Sequence, residues 1–209
     1  MTSLDHAANP GRHSFADRGP DLYETPPQAV QALLAVEPLP QRIWEPACGR
    51  GAIVEVLRAH GHTVLATDLY DHGCPFSTSG IDYLTAALPS GIDAVVTNAP
   101  FRLANQFVRQ ALASGVPKVC MLLRLAFLES AGRSDVLDCG RLARVLPFIE
   151  RLPMMHRDGW TGPRASSPMQ FAWFVWQRDH RGPATIQRIS WRQHTDDLFS
   201  RALQNGIAP

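Results

Sequence analysis

A chain of 209 residues, 45% apolar and 19% charged, has the composition of an ordinary globular protein and the length for one full core, two domains being the outside case. No uninterrupted apolar run approaches a membrane span, and Met1 to Pro20 lack the apolar stretch of a signal peptide, so a cytoplasmic address is expected. The net charge of +1 hides an asymmetry: residues 1–100 hold 5 Arg against 11 Asp or Glu, whereas residues 101–209 hold 14 Arg and one Lys against 8. An arginine-rich half suits contact with phosphates, and equally an ordinary solvated basic surface.

Residues 1–20, with Asn9-Pro10-Gly11 and Gly19-Pro20, show no apolar period and read as a mobile tail, leaving residues 21–209 as a single domain. Thr25-Pro26-Pro27 reads as a helix start, with Thr25 as the cap and Val30, Leu33 and Leu34 as the apolar face. Strands and helices then alternate. Strands are expected at 42–45, 63–68, 81–84, 93–98 and 118–125, and helices at 52–60 and 103–113. This alternation implies a doubly wound α/β fold: a mostly parallel, seven-stranded sheet covered on both faces. Beyond it, 143–149 reads as a strand and 152–170 as a long loop. Residues 171–176 and 185–191 read as an antiparallel hairpin turning through 179–183. The run Trp173 to Trp176 reads as core rather than as a stacking platform. Cys48, Cys74, Cys120 and Cys139 have no paired close spacing and read as reduced thiols, and the eight histidines form no metal pattern.

Two segments carry chemistry. Glu45-Pro46-Ala47-Cys48-Gly49-Arg50-Gly51 joins a strand to a helix through two glycines, which lets a ligand approach the backbone or simply makes a tight turn. Asp68 ends the next strand, where a carboxylate can bind both hydroxyls of a ribose; Asp82 follows the expected third strand. The second segment, Asn98-Ala99-Pro100-Phe101, ends the fourth strand and so faces the same crevice. Asn98 and the Ala99 carbonyl offer two acceptors to an amino group, and Phe101 offers a flat face to a planar base; a plain turn after a strand is the other reading.

Taken together, Tyr23-Glu24-Thr25-Pro26-Pro27, the 45–51 turn, Asp68 and Asn98-Ala99-Pro100-Phe101 resemble the amino-methylating branch of the Rossmann-like methyltransferases, over about residues 21–127. The nearest likeness is to small DNA adenine-N6 methyltransferases of phage and prophage type. The resemblance implies a class I methyltransferase fold and S-adenosyl-L-methionine as cofactor. It implies a pocket formed by Tyr23, Thr25, Pro26, Glu45, Pro46, Ala47, Gly49, Gly51, Asp68, Leu69, Asp82 and Asn98. The 45–51 turn would hold the methionine portion, Asp68 the ribose and Asp82 the adenine amino group. Asn98 and the Ala99 carbonyl would orient the target amine, with Pro100 fixing the turn and Phe101 stacked on a base flipped out of duplex DNA. No catalytic metal is implied.

Two departures from the family pattern stand out. Ala99 replaces the first proline of the usual Asn-Pro-Pro-aromatic motif, and no large insertion supplies a target-recognition domain. The 152–170 loop is the remaining candidate for that role: Arg157 and Arg164 could reach phosphates or guanine edges, and Trp160 could wedge or stack. The same device also serves RNA and protein-glutamine methylation, and Ala99 leaves room for a fold that binds cofactor without catalysis. A dinucleotide-dependent dehydrogenase is disfavoured, because the turn lacks the three-glycine spacing.

Overall fold

The computed structural model describes residues 24–153 and 169–194. Its strands are β1 (Arg42–Glu45), β2 (Thr63–Thr67), β3 (Ser77–Thr78), β4 (Ala94–Thr97), β5 (Lys118–Arg124), β6 (Leu142–Pro147), β7 (Phe171–Gln177) and β8 (Thr185–Ile186). They form one sheet in the order β3-β2-β1-β4-β5-β7-β6-β8. Strands β3 to β5 in that order pair in parallel, and β7 runs antiparallel between β5 and β6.

Successive side chains of a strand point to opposite faces, and the sheet sorts its apolar residues accordingly. Ile43, Ala66, Val96 and Leu122 pack with α1 (Pro27–Leu34) and α2 (Ala52–Ala59). Their neighbours Trp44, Val95, Met121 and Leu123 pack with α3 (Ala104–Ala113) and with Val136 of α4 (Ser134–Leu137). β7 serves both layers, which is why its sequence is an unbroken apolar run rather than an alternation. Trp173 Nε1 donates to the Ala29 carbonyl at 2.8 Å on one side, and Trp176 Nε1 to the Val136 carbonyl at 2.8 Å on the other. Both tryptophans are fully buried, as the sequence led us to expect. Truncating either to alanine would cost on the order of 3–5 kcal/mol.

Glu37, just past α1, is sealed from solvent. It accepts from Lys118 Nζ at 2.6 Å and from Arg144 Nε and Nη2 at 2.6 and 2.8 Å. This three-charge clasp joins α1 to β5 and β6.

Three sequence expectations give way. The third strand is Ser77–Thr78, not 81–84, whose residues turn so that Tyr83 packs between Trp44 and Phe107. The antiparallel partners of β7 are β5 and β6; β8 pairs in parallel with β6 at the sheet edge, so 171–176 and 185–191 make no hairpin and the sheet has eight strands. Thr25 does not cap α1: Pro26 holds that position without a side-chain bond, and the Thr25 hydroxyl is used elsewhere.

Candidate active site

The strand order reverses between β1 and β4, so the chain leaves these neighbours toward opposite faces and opens a crevice beyond their carboxyl ends. A cavity of about 600 Å³ occupies that crevice. Its walls include both chemically loaded segments, the 45–50 stretch and Asn98 to Phe101.

One wall is the β1–α2 turn. Gly49 and Gly51 have φ of 53° and 92°, conformations that side chains rarely adopt. The turn is tied to β2 at both levels: Cys48 N–H donates to the Thr67 carbonyl at 3.1 Å, and Gly49 N–H to Asp68 Oδ2 at 2.8 Å. Asp68 Oδ1 accepts from Tyr70 N–H at 3.0 Å, and His72 Nε2 stands 3.7 Å away. The Asp68 carboxylate is therefore held in a fixed orientation at the cavity wall by two backbone donors.

Glu45 lies deeper, 1% exposed, and burial holds its carboxyl well above the usual carboxylate range; Cys74 and Asp68 nearby push the same way, against a bond from the Val54 backbone. Its Oε2 has no hydrogen-bond partner. The Tyr83 hydroxyl is likewise buried and unpartnered, and burial raises its ionisation range as well. Both residues line the cavity. An orphaned buried polar atom is costly, and two of them lining one cavity fit a ligand that brings its own polar groups. Burial, reinforced by Glu45, pushes the Cys48 thiol up to about 12, so it stays protonated and is no nucleophile at neutral pH.

The opposite wall is built by the chain leaving β4. Asn98 Nδ2 donates to Thr25 Oγ1 at 3.1 Å. Ala99 is 1% exposed and packs with Trp44 and Tyr83 in the α3 layer, whereas Phe101 packs in the α1 layer against Phe171, ring centroids 5.6 Å apart. The guanidinium of Arg124, at the end of β5, lies 4.3 Å from the Phe101 ring centre.

Of the residues expected from sequence, Thr25, Glu45, Pro46, Ala47, Gly49, Asp68, Leu69, Asp82, Asn98, Ala99, Pro100 and Phe101 meet around this one cavity. Pro26 and Gly51 lie outside its lining; Gly51 instead stands at the start of α2, where an added Cβ would come within 2.8 Å of Cys74 Sγ. Asp82 lies past β3 and opens a turn, with Oδ1 accepting from Leu84 N–H at 2.9 Å. Tyr23, Arg157, Trp160 and Arg164 fall outside the described residues. His72 and Tyr83 also line the cavity and escaped the sequence reading, although Tyr83 adjoins Asp82 and His72 lies four residues past Asp68. Among the described residues, no group of His, Cys, Asp or Glu is arranged to hold a metal, and no helix is long and apolar enough to cross a membrane.

The mostly parallel sheet with antiparallel C-terminal strands matches solved methyltransferases. The fold is the class I methyltransferase fold. A modification subunit assigned to a type I restriction enzyme of Vibrio vulnificus superposes with a TM-score of 0.57 at 12% identity, over 90% of this chain and 54% of that one. The chain thus spans about half the length of that subunit. A protein of Pyrococcus horikoshii assigned as an RNA methyltransferase gives 0.55 at 13% identity, over 74% of this chain and 85% of that one. A complex of E. cuniculi responsible for methylating a translation termination factor gives 0.51 at 17% identity, over 75% and 98%. At these identities the likeness is one of methyltransferase fold alone. No protein-family model matches the sequence, and no curated protein matches it.

Proposed function

We propose that this chain is an S-adenosyl-L-methionine-dependent methyltransferase acting on an exocyclic amino nitrogen of a DNA base, adenine N6 foremost. The observation that carries the reading is the meeting of the Glu45–Arg50 turn, Asp68 and Asn98–Phe101 on a single cavity of about 600 Å³. That volume suits a cofactor with room for part of a substrate. Glu45, with its unpartnered oxygen, suits the ammonium of the methionine portion, and Asp68 the ribose hydroxyls. Bound there, the cofactor would supply an electrophilic methyl group.

The chain's own contribution is positioning and polarity. The target amine would donate its two hydrogens to the Asn98 amide oxygen and the Ala99 carbonyl, which turns the nitrogen lone pair toward the donor side of the cavity. As the nitrogen gains the methyl group, the bond from that methyl to the donor's sulfonium sulfur would break to leave a neutral thioether, the nitrogen would shed one proton to solvent, and the two acceptors would lower the cost of the positive charge that builds up there. Phe101 would lie against the base plane.

The solved neighbours span DNA modification, RNA and a protein factor by their own descriptions, so the fold does not choose among these substrates. The arginine-rich second half favours nucleic acid. The test is transfer of labelled methyl from the cofactor to unmethylated DNA, with RNA of the same sequence and a glutamine peptide in parallel. Label in DNA, lost in Asn98→Ala, supports the reading. Label confined to RNA or peptide reassigns the substrate, and none anywhere rejects the activity.

A further inference from the structure

At the end of β5 stands an arginine that pairs with no carboxylate among the described residues. Arg124 is exposed and belongs to the last register pair of the β5–β7 ladder, opposite Phe171. Its guanidinium rests over the Phe101 ring at 4.3 Å. Other arginines are spent within the fold: Arg144 on Glu37, Arg109 on Asp135, Arg133 on the Ala126 and Phe127 carbonyls, and Arg141 on the Leu112 carbonyl. Among the described residues, no carboxylate or carbonyl accepts a hydrogen bond from the Arg124 side chain.

Its place relative to the cavity matters as much as its open donors. Phe101 lines the cavity; Arg124 does not, yet it touches the Phe101 ring. It therefore stands on the rim, one ring's thickness from the interior. A nucleotide whose base sits inside must leave its phosphates outside, on that rim. Stacking on an aromatic ring holds a guanidinium in one plane while leaving its N–H edge open to an anion, and a guanidinium edge matches two phosphate oxygens.

We infer that Arg124 is a phosphate-gripping residue, set to take the phosphodiester beside the nucleotide whose base enters the cavity. This rests on the proposed nucleobase substrate and adds the group that recognises its backbone. It also gives a reason for selecting a nucleic acid over a protein amide, which brings no such anion.

The experiment uses the full chain and a short fluorescein-labelled DNA duplex of mixed sequence, with an RNA duplex of the same sequence as a second arm. Binding is followed by anisotropy across a salt series for wild type, Arg124→Ala and Arg124→Lys. S-adenosylhomocysteine titrations run alongside to monitor the cavity. Arg124→Ala is expected to weaken duplex binding about tenfold, and to flatten the slope of log affinity against log salt by about 1, the signature of one lost phosphate contact. Arg124→Lys should recover most of the slope, and all three proteins should bind S-adenosylhomocysteine alike. Which duplex shows the larger Arg124 effect tells DNA from RNA. Equal affinity and slope in wild type and Arg124→Ala would overturn the assignment, as would a lysine variant as weak as alanine, or a wild type that binds neither duplex. Failure of S-adenosylhomocysteine to bind any of the three strikes the cofactor reading instead and leaves the salt series legible.

Discussion

Asn98 and Thr25 lie 73 residues apart and share a hydrogen bond at 3.1 Å, amide nitrogen to hydroxyl, in the lining of the cavity. The bond holds the nitrogen end of the Asn98 amide toward Thr25. Thr25→Val keeps the shape and removes the acceptor. Methyl transfer is expected to fall by about fivefold, the worth of one neutral hydrogen bond of about 1 kcal/mol. Thr25→Ser should restore it. Asn98→Ala should lose transfer almost wholly. A Thr25→Val enzyme with wild-type turnover would mean that the bond only steadies the N-terminus of α1.

The same pair shows where sequence reading succeeds and where it stops. β1, β2, β4 and β5 are legible because a buried parallel strand is a short apolar run, and because the polar residues at their ends (Glu45, Asp68, Asn98) stand out against it. Convergence of these ends on one crevice then follows from topology. Thr25 is misread because a threonine before two prolines has a local use as a cap, while its actual partner is a long-range one that no local pattern records. β3 and β8 have two residues each, too few to show a period, and Ser77–Thr78 has no apolar side chain at all. The 81–84 segment alternates like a strand, yet Tyr83 reaches the core from a turn. The pairing of β7 between β5 and β6 is set by how its two faces fill both layers, which is a property of the assembled sheet.

Glu45 should give the site a pH dependence. Burial holds its carboxyl protonated above the range where the unfolded chain ionises, so the unfolded state releases its proton first. From the ordinary carboxylate range upward, rising pH therefore draws stability from the folded chain until the raised value is passed. Glu45→Gln removes this drain. Its melting temperature relative to wild type should climb as the pH rises above the ordinary carboxylate range. A cationic ligand group beside Glu45 favours the ionised form, so cofactor binding should release protons. Calorimetry in two buffers of different ionisation enthalpy would detect the release; the same heat in both, beyond ligand terms, would count against a Glu45–cation contact.

Gly51 tests the geometry of the turn without touching the cavity lining. Its φ is +92°, and a Cβ there would sit 2.8 Å from Cys74 Sγ. Gly51→Ala should cost about 1–3 kcal/mol, part from the backbone conformation and part from the sulfur contact. Cys74→Ala removes the second part alone. The double variant should thus be more stable than the sum of the two single changes predicts, as read from denaturant midpoints. Strict additivity would show that the sulfur moves aside freely.

The Glu37 clasp holds Lys118 at the amino end of β5, whereas the cavity lies beyond the carboxyl ends of β1 and β4, so the clasp should influence stability alone. Its carboxylate is fully covered and accepts from two cations that keep 13% and 28% of their side-chain surface. Glu37→Gln leaves both cations short of a counter-charge and is expected to cost about 3 kcal/mol. Cofactor affinity should hold at temperatures where the variant stays folded.

Asp68 has two duties that one substitution can separate. Its carboxylate accepts from Gly49 N–H and Tyr70 N–H, one on each oxygen, so it both shapes the turn and presents an acceptor surface to the cavity. Asp68→Asn keeps one oxygen and turns the other into a donor, which opposes a backbone N–H on one side. Asp68→Ala removes both acceptors. If the carboxylate also binds a ribose, cofactor affinity should fall by about tenfold to a hundredfold in Asp68→Ala, each tenfold being about 1.4 kcal/mol. A methylated sulfur fragment lacking the ribose tells the two duties apart. If Asp68 matters only through the turn, that fragment should weaken with Asp68→Ala as much as the whole cofactor does. If the ribose contact is real, the fragment should bind wild type and variant nearly alike while the whole cofactor does not.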